Sequence, residues 1–213
     1  MKGFLFDLDG TLVDTAIDML AALKTLAAEN GIDVEPDYHQ YKELITYGSK
    51  AIVTSIFGQL ADDVFKKLQS RYLQIYQDNL MIKSKLFTGI DTVIDSLDKA
   101  DIPWGIVTNK PAYLAKPLIA ALPQLDQCKV IIGGGCTSHA KPHPMPIIQA
   151  LETMQINPQN SWYIGDALTD IQAANAADMN SAVAMWGYLK KQDEPEKWQS
   201  NSLLNNTLDI LDL

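Results

Sequence analysis

Short apolar runs recur along the chain, each closing on a polar residue or glycine: Gly3 to Phe6, Trp104 to Val107, Lys129 to Ile132, Trp162 to Ile164 and Ala182 to Met185. A continuous apolar run of this length, bounded by turn residues, is the pattern of a strand buried on both faces of a parallel sheet. Helical spacing fills the intervals. Val93, Leu97 and Ala100 precede the second run, and Leu114, Leu118 and Ala121 follow it. Ile147, Ala150, Leu151 and Met154 precede the fourth run, and Ile171, Ala174 and Ala177 follow it. Strand and helix in alternation predict an α/β fold, a Rossmann-like doubly wound parallel sheet.

The alternation stops between Thr15 and about Lys83. Ile17, Leu20, Leu23 and Leu26 carry a helical period that Asn30-Gly31 ends, and Val64, Phe65, Leu68, Tyr72 and Ile75 form a second amphipathic helix. The pattern predicts an α/β core made of residues 1–15 and 84–213, with an all-helical insertion over 16–83. A length of 213 residues, about 1.4 domains at roughly 150 residues each, agrees with a full domain and a smaller companion. Tyr72, Tyr76, Trp104 and Trp162 sit at core spacings. The polar tail from Lys190 ends in an amphipathic turn at Leu204, Leu208 and Leu211.

Charge narrows the partners. With 17 basic and 26 acidic residues the chain carries a net charge of −9, which gives no broad electrostatic footprint for nucleic acid or an anionic membrane, both of which favour clustered Lys and Arg. Neither is expected as a partner. Cys128 and Cys136 are too few for a disulfide framework and read as core or near-core thiols. Asp7 interrupts the N-terminal apolar run too early for a secretory signal, and Lys116 and Pro117 break the stretch Tyr113 to Leu122. A cytoplasmic location is the expectation.

In sheets of this kind ligands bind beyond the carboxyl ends of the strands, so the residues closing each run carry the chemistry. The first run closes on Asp7-Leu8-Asp9-Gly10-Thr11, the second on Thr108-Asn109. Ala140-Lys141-Pro142-His143-Pro144 precedes the fourth run, which closes on Gly165-Asp166-Ala167-Leu168-Thr169-Asp170. Each segment alone has an ordinary explanation: a turn, a helix cap, a solvated lysine, an acid at a helix start. Together they bring four carboxylates, a hydroxyl and an ammonium to one sheet edge. Clustered carboxylate oxygens are the donor set Mg²⁺ selects, the cation relieves the repulsion between Asp7 and Asp9, and with Lys141 and Thr108 it makes a receptor for a phosphoryl group. Asp7 is then placed to act as a covalent nucleophile. Gly133-Gly134-Gly135 lacks the lysine of a nucleotide-binding loop and reads as the turn after the third strand. His39 and His139 read as surface or loop residues, and His143, two residues past Lys141, could approach the entrance to the site.

These four segments resemble, in order, the four motifs of the haloacid-dehalogenase-like hydrolases, and the resemblance runs the length of the chain. Lys141-Pro142-His143-Pro144 and Trp186-Gly187-Tyr188 are most similar to phosphoglycolate-phosphatase-like members, whose helical cap corresponds to residues 16–83. The resemblance implies a phosphatase acting on a small phosphorylated metabolite, phosphoglycolate-like or a sugar phosphate, with no obligate protein partner. Asp7 would attack phosphorus, and Asp9 would protonate the leaving alcohol and then activate water. Thr108, Asn109 through its backbone N–H, and Lys141 would hold the phosphoryl oxygens. Mg²⁺ would be held by Asp7, by Asp9 through its carbonyl, by Asp166, and by Asp170 directly or through its neighbours. Asp9 favours phosphoesters, because dehalogenases lack an aspartate there and phosphonate-cleaving relatives carry a small residue. Where relatives commonly carry an arginine before a glycine pair in the cap, this chain reads Leu44-Ile45-Thr46-Tyr47-Gly48-Ser49-Lys50, which leaves the substrate open. Gly48, Ser49 and Lys50 are the cap residues expected to face it. A phosphosugar mutase and a catalytically silent scaffold are the alternative readings.

Overall fold

The computed structural model describes residues 1–213. Its strands are β1 (Phe4–Phe6), β2 (Val13–Asp14), β3 (Lys85–Leu86), β4 (Trp104–Pro111), β5 (Ile131–Gly134), β6 (Trp162–Gly165), β7 (Asn180–Ala184) and β8 (Ser202–Leu204). Its helices are α1 (Ala16–Glu29), α2 (Tyr38–Ile45), α3 (Gly48–Phe57), α4 (Asp62–Asp78), α5 (Ile90–Lys99), α6 (Ala112–Ala120), α7 (Met145–Met154) and α8 (Leu168–Ala176). The chain divides into two compact units, Met1–Val13 with Leu86–Leu213, and Asp14–Lys85. It crosses between them at β2 and β3, which pair in a small sheet of their own. No helix is long and apolar enough to cross a membrane.

The larger unit is a six-stranded parallel sheet in the order β5-β4-β1-β6-β7-β8. β1 lies inside it, with Phe6 opposite Ile106 of β4 and Ile164 of β6. The period of two sends Leu5, Val107, Ile132 and Tyr163 to one buried face, where Ile147, Ala150 and Leu151 of α7 and Ala173 and Ala174 of α8 cover them. Phe4, Phe6 and Trp104 turn the other way, Phe4 stacking on Phe6 and Trp104 meeting Phe6 edge to face, and the buried Trp104 indole N–H donates to Asp98 at 2.8 Å. Both faces being covered explains why the strands read as unbroken apolar runs.

Three details differ from the sequence pattern. β5 begins at Ile131 and takes in Gly133 and Gly134, so these two glycines belong to the strand and only Gly135, at φ +89°, makes the turn. A Cβ on Gly133 would stand 2.8 Å from the Ala112 backbone, which is why the strand needs glycine there. Cys136, just beyond that turn, is exposed, while Cys128 is half-buried and burial pushes its thiol up to about 12. At the C-terminus β8 adds a short edge strand, and Thr207–Asp212 forms a 3₁₀ helix. Its three-residue repeat buries Thr207 and Ile210 and leaves Leu208 and Leu211 exposed, where an α-helical period would have buried the leucines.

The smaller unit holds α1 to α4. α1 buries Leu20, Leu23 and Leu26, α4 buries Tyr72, Ile75 and Tyr76, and the Tyr72 hydroxyl donates to the Met19 carbonyl at 3.2 Å. Val64, at the start of α4, is exposed. The buried Asp18 carboxylate accepts from Lys83 N at 2.9 Å, Ser84 N at 2.8 Å and Ser84 Oγ at 2.6 Å. It thus pins the first helix of the insertion to its last residues, since each of those donors would otherwise be unpaired.

Candidate active site

The carboxyl ends of β1, β4 and β6 converge. After Phe6 the chain folds into a tight hook in which the Leu8 carbonyl accepts from Leu12 N at 3.1 Å and Val13 N at 2.9 Å. Gly10 allows it: its φ is +86°, and a Cβ there would lie 2.2 Å from Asp166 Oδ2. Asp7, Asp166 and Asp170 present carboxylate oxygens that all lie within 4.8 Å of one another. Asp166 is fixed from behind, accepting from Tyr188 N at 2.7 Å and from the Thr11 hydroxyl at 3.4 Å. Asp170, in the first turn of α8, accepts from Ala167 N at 3.0 Å.

Lys141 enters this group from the loop before α7. Its buried ammonium reaches Asp7 Oδ1 at 2.9 Å, Asp170 Oδ1 at 2.6 Å, the Val107 carbonyl at 2.9 Å and the Tyr163 hydroxyl at 2.7 Å. Asn109 holds the loop in place, its amide donating to the Lys141 carbonyl at 2.9 Å and accepting from Lys141 N at 3.0 Å. Thr108 is buried at the end of β4 beside it. Asp9 stands apart from the three carboxylates, with Oδ1 accepting from Lys110 Nζ at 2.9 Å. Gly48, Ser49 and Lys50 belong to the helical unit, at the start of α3. Gly48 has φ +71°, the Ser49 hydroxyl accepts from Gln69 of α4 at 2.9 Å, and Lys50 is exposed. His143 is exposed, its ring stacked on that of His139 at 4.1 Å.

Burial dominates the electrostatics. It raises the Asp7 carboxyl to about 6, with the Lys141 ammonium opposing and the Asp170 charge reinforcing the rise. Burial also pushes Asp166 well above the usual carboxylate range, helped by Asp7 and Asp170. Burial acts to lower Lys141, yet Asp170 and Asp7 outweigh it and the ammonium is held above its ordinary value. With every group charged, four carboxylates face the ammoniums of Lys110 and Lys141, leaving two negative charges. One divalent cation cancels them, and an all-oxygen donor set is what such a hard cation takes.

Three participants are not marked as site residues by the sequence pattern. Lys110 follows Thr108-Asn109 at the end of β4, and Tyr163 sits inside an apolar run, where an aromatic residue reads as packing. Gly187 backs Asp166 so closely that a Cβ would lie 2.3 Å from the Asp166 Cβ. A period of two from the buried Thr108 would have put Lys110 on the same side of β4.

A family model described as haloacid dehalogenase-like hydrolase matches residues 4–184. A phosphoglycolate phosphatase of Xylella fastidiosa is 40% identical over 94% of this chain and 87% of its own. An N-acetylmuramic acid 6-phosphate phosphatase of Pseudomonas putida is 31% identical over 99% and 94%. The crystal structure of a predicted phosphoglycolate phosphatase from Haemophilus somnus matches with a TM-score of 0.88 at 23% identity, over 100% of this chain and 97% of that one. With its sheet order, its strand-end residues and these matches in agreement, the chain belongs to the haloacid dehalogenase-like hydrolases.

Proposed function

We propose that this chain is a Mg²⁺-dependent phosphatase of the cytoplasm that hydrolyses a small phosphate monoester through an aspartyl-phosphate on Asp7. The observation that carries the reading is the buried Asp7 carboxylate, bonded to Lys141 and grouped with Asp166 and Asp170 at the carboxyl edge of the sheet. An Asp7 oxygen bonds to phosphorus as the ester P–O bond breaks, and the departing oxygen takes the proton of Asp9. Asp9, now a carboxylate, takes a proton from water as the water oxygen bonds to phosphorus. The bond from Asp7 to phosphorus breaks, inorganic phosphate leaves, and Asp9 is protonated again. Thr108, the Asn109 backbone N–H and Lys141 hold the phosphoryl oxygens through the transfer. Asp7, Asp166, Asp170 and the Asp9 carbonyl would hold Mg²⁺, which when bound would supply positive charge against which a phosphate dianion can approach these carboxylates.

The named activities of the relatives support two substrate classes, a two-carbon phosphate such as phosphoglycolate and a sugar 6-phosphate. The helical unit, through Gly48, Ser49 and Lys50, is assigned the reading of the alcohol portion. Phosphate release is measured from p-nitrophenyl phosphate, phosphoglycolate and a panel of sugar phosphates, with Mg²⁺ and with excess chelator. Release that needs Mg²⁺ and vanishes in Asp7→Asn is expected. Full release in chelator, or equal release from Asp7→Asn, overturns the mechanism. A sugar phosphate recovered with its phosphate moved to another hydroxyl identifies a mutase instead.

A further inference from the structure

Asp9 has the most exacting task in this reaction. Its carboxyl must face the leaving oxygen, and it must stay out of the oxygen set that would hold the cation, although it stands two residues from Asp7. The fold supplies a reason. Asp9 Oδ1 accepts from Lys110 Nζ at 2.9 Å, and the group of three mutually close carboxylates does not include it. The Lys110 side chain is 4% exposed and that of Asp9 16%. A lysine on an ordinary strand end carries its ammonium out to water; this one is turned inward beside Thr108, whose hydroxyl accepts from Lys110 N at 3.2 Å. Burying an ammonium is costly unless a charge partner meets it, and the partner here is the carboxylate to which the reaction gives both proton transfers.

We propose that Lys110 is a positioning residue: it holds the Asp9 carboxylate clear of the Asp7–Asp166–Asp170 group and turned for proton transfer to the leaving oxygen. The proposal rests on the phosphatase reading for its kinetic consequences, and it also makes a binding prediction that does not need turnover. Removing Lys110 takes away the ammonium that Asp9 Oδ1 meets at 2.9 Å, so the Asp9 carboxylate is expected to turn more readily toward a cation among the other three.

Lys110→Met keeps the length of the stem and removes the charge. With β-glycerophosphate, a poor leaving group that requires a proton, kcat is expected to fall by about tenfold or more, within the range general acids contribute, while KM stays within about twofold. With 2,4-dinitrophenyl phosphate, whose leaving group needs no proton, the loss of phosphoenzyme formation in single-turnover quench should nearly vanish. Lys110→Arg should recover most of the activity, and adding Lys110→Met to Asp9→Asn should cost nothing further. In parallel, Mg²⁺ affinity is measured by calorimetry. Lys110→Met should bind Mg²⁺ more tightly, and Asp9→Asn should abolish that gain.

An equal loss with both esters, additivity with Asp9→Asn, or an effect confined to KM overturns the proposal. So does a gain in Mg²⁺ affinity that persists in the Asp9→Asn background, because it would come from removing a charge and not from releasing Asp9. If Lys110→Met does not fold, Lys110→Gln takes its place and must show the same dependence on leaving group and on Asp9. A parent with no Mg²⁺-dependent release on any ester defeats the phosphatase reading, while calorimetry still decides the role of Lys110.

Discussion

Raising the pH in the absence of metal should weaken this protein, and Mg²⁺ should restore most at high pH. Three carboxylate oxygens within 4.8 Å repel at roughly 3.5 kcal/mol per pair at an effective dielectric near 20. The Asp7 carboxyl, raised from 3.8 to about 6 chiefly by burial, with the Asp170 charge adding to it against the Lys141 ammonium, corresponds to about 3 kcal/mol at 1.36 kcal/mol per pH unit. Below pH 3.8 both the folded and unfolded chains are protonated at Asp7 and the penalty is absent. Between 3.8 and 6 the unfolded chain gives up its proton while the folded one keeps it. Above 6 both are ionised and the folded state bears the full cost, so stability is lost as pH rises through this window. At 2–4 °C per kcal/mol for a chain of this size, the loss is about 6–12 °C in Tm. Asp166, also held above the carboxylate range, acts in the same direction.

The assay is thermal unfolding from pH 4.5 to 8, in chelator and in Mg²⁺, for the parent and Asp7→Asn. In chelator the parent should fall relative to the variant by most of that amount across the range. Mg²⁺ should raise the parent far more at pH 8 than at pH 5, because it competes with the proton for the same oxygens. A parent–variant difference that does not change with pH, or a Mg²⁺ gain equal at pH 5 and pH 8, would refute the idea that Asp7 titrates within a metal site.

Other substitutions separate the site's supports from its chemistry. Lys141→Met strands the Asp7 and Asp170 carboxylates that the ammonium bonds at 2.9 and 2.6 Å; turnover should fall by about 10²–10³-fold and stability by about 3–5 kcal/mol, checked by kinetics and urea unfolding. Gly187→Ala places a Cβ 2.3 Å from that of Asp166, so Mg²⁺ affinity measured by calorimetry should drop while the far-ultraviolet spectrum is kept. Asp18→Ala strands the donors of Lys83 and Ser84; amide exchange should accelerate across the helical unit, with a stability loss of about 1–3 kcal/mol.

How far the sequence could be read depended on what each residue's neighbours were. The central strands β4, β1, β6 and β7 were legible because both faces of each are buried, so nothing in the run alternates, and β5, at one edge, was legible because Ile131 and Ile132 extend an apolar run. β8 was not, because an edge strand of three residues, Ser202–Leu204, is half solvated and looks like any polar tail with two leucines. α2 and α3 escaped for the same reason: between them only Ile45, Ile52 and Val53 are fully buried, too few to print a period. Asp7, Asp166, Asp170 and Lys141 were legible as a set, since polar residues ending apolar runs have no packing explanation in common. Gathering Asp7, Asp166 and Asp170 into one group is a property of the sheet order β4-β1-β6, which no local pattern contains.

The same contrast separates the two lysines. Lys141 announces itself by standing just before Pro142 and Pro144 in a loop, where a charge held rigid needs a reason. Lys110 follows Thr108-Asn109 at the end of a strand, where a lysine commonly leads out to solvent, and only the register that lays β4 against β1 turns it back to Asp9. A net charge of −9 likewise says little until the acids are placed. Within the site the two ammoniums reduce four carboxylates to a deficit that a single divalent cation meets. The local charge balance, and not the total, is therefore what makes an acidic protein a receptor for a phosphate dianion. It follows that removing either lysine should change how the site takes a metal as well as how fast it turns over, whereas removing an exposed lysine such as Lys50 should leave metal binding untouched.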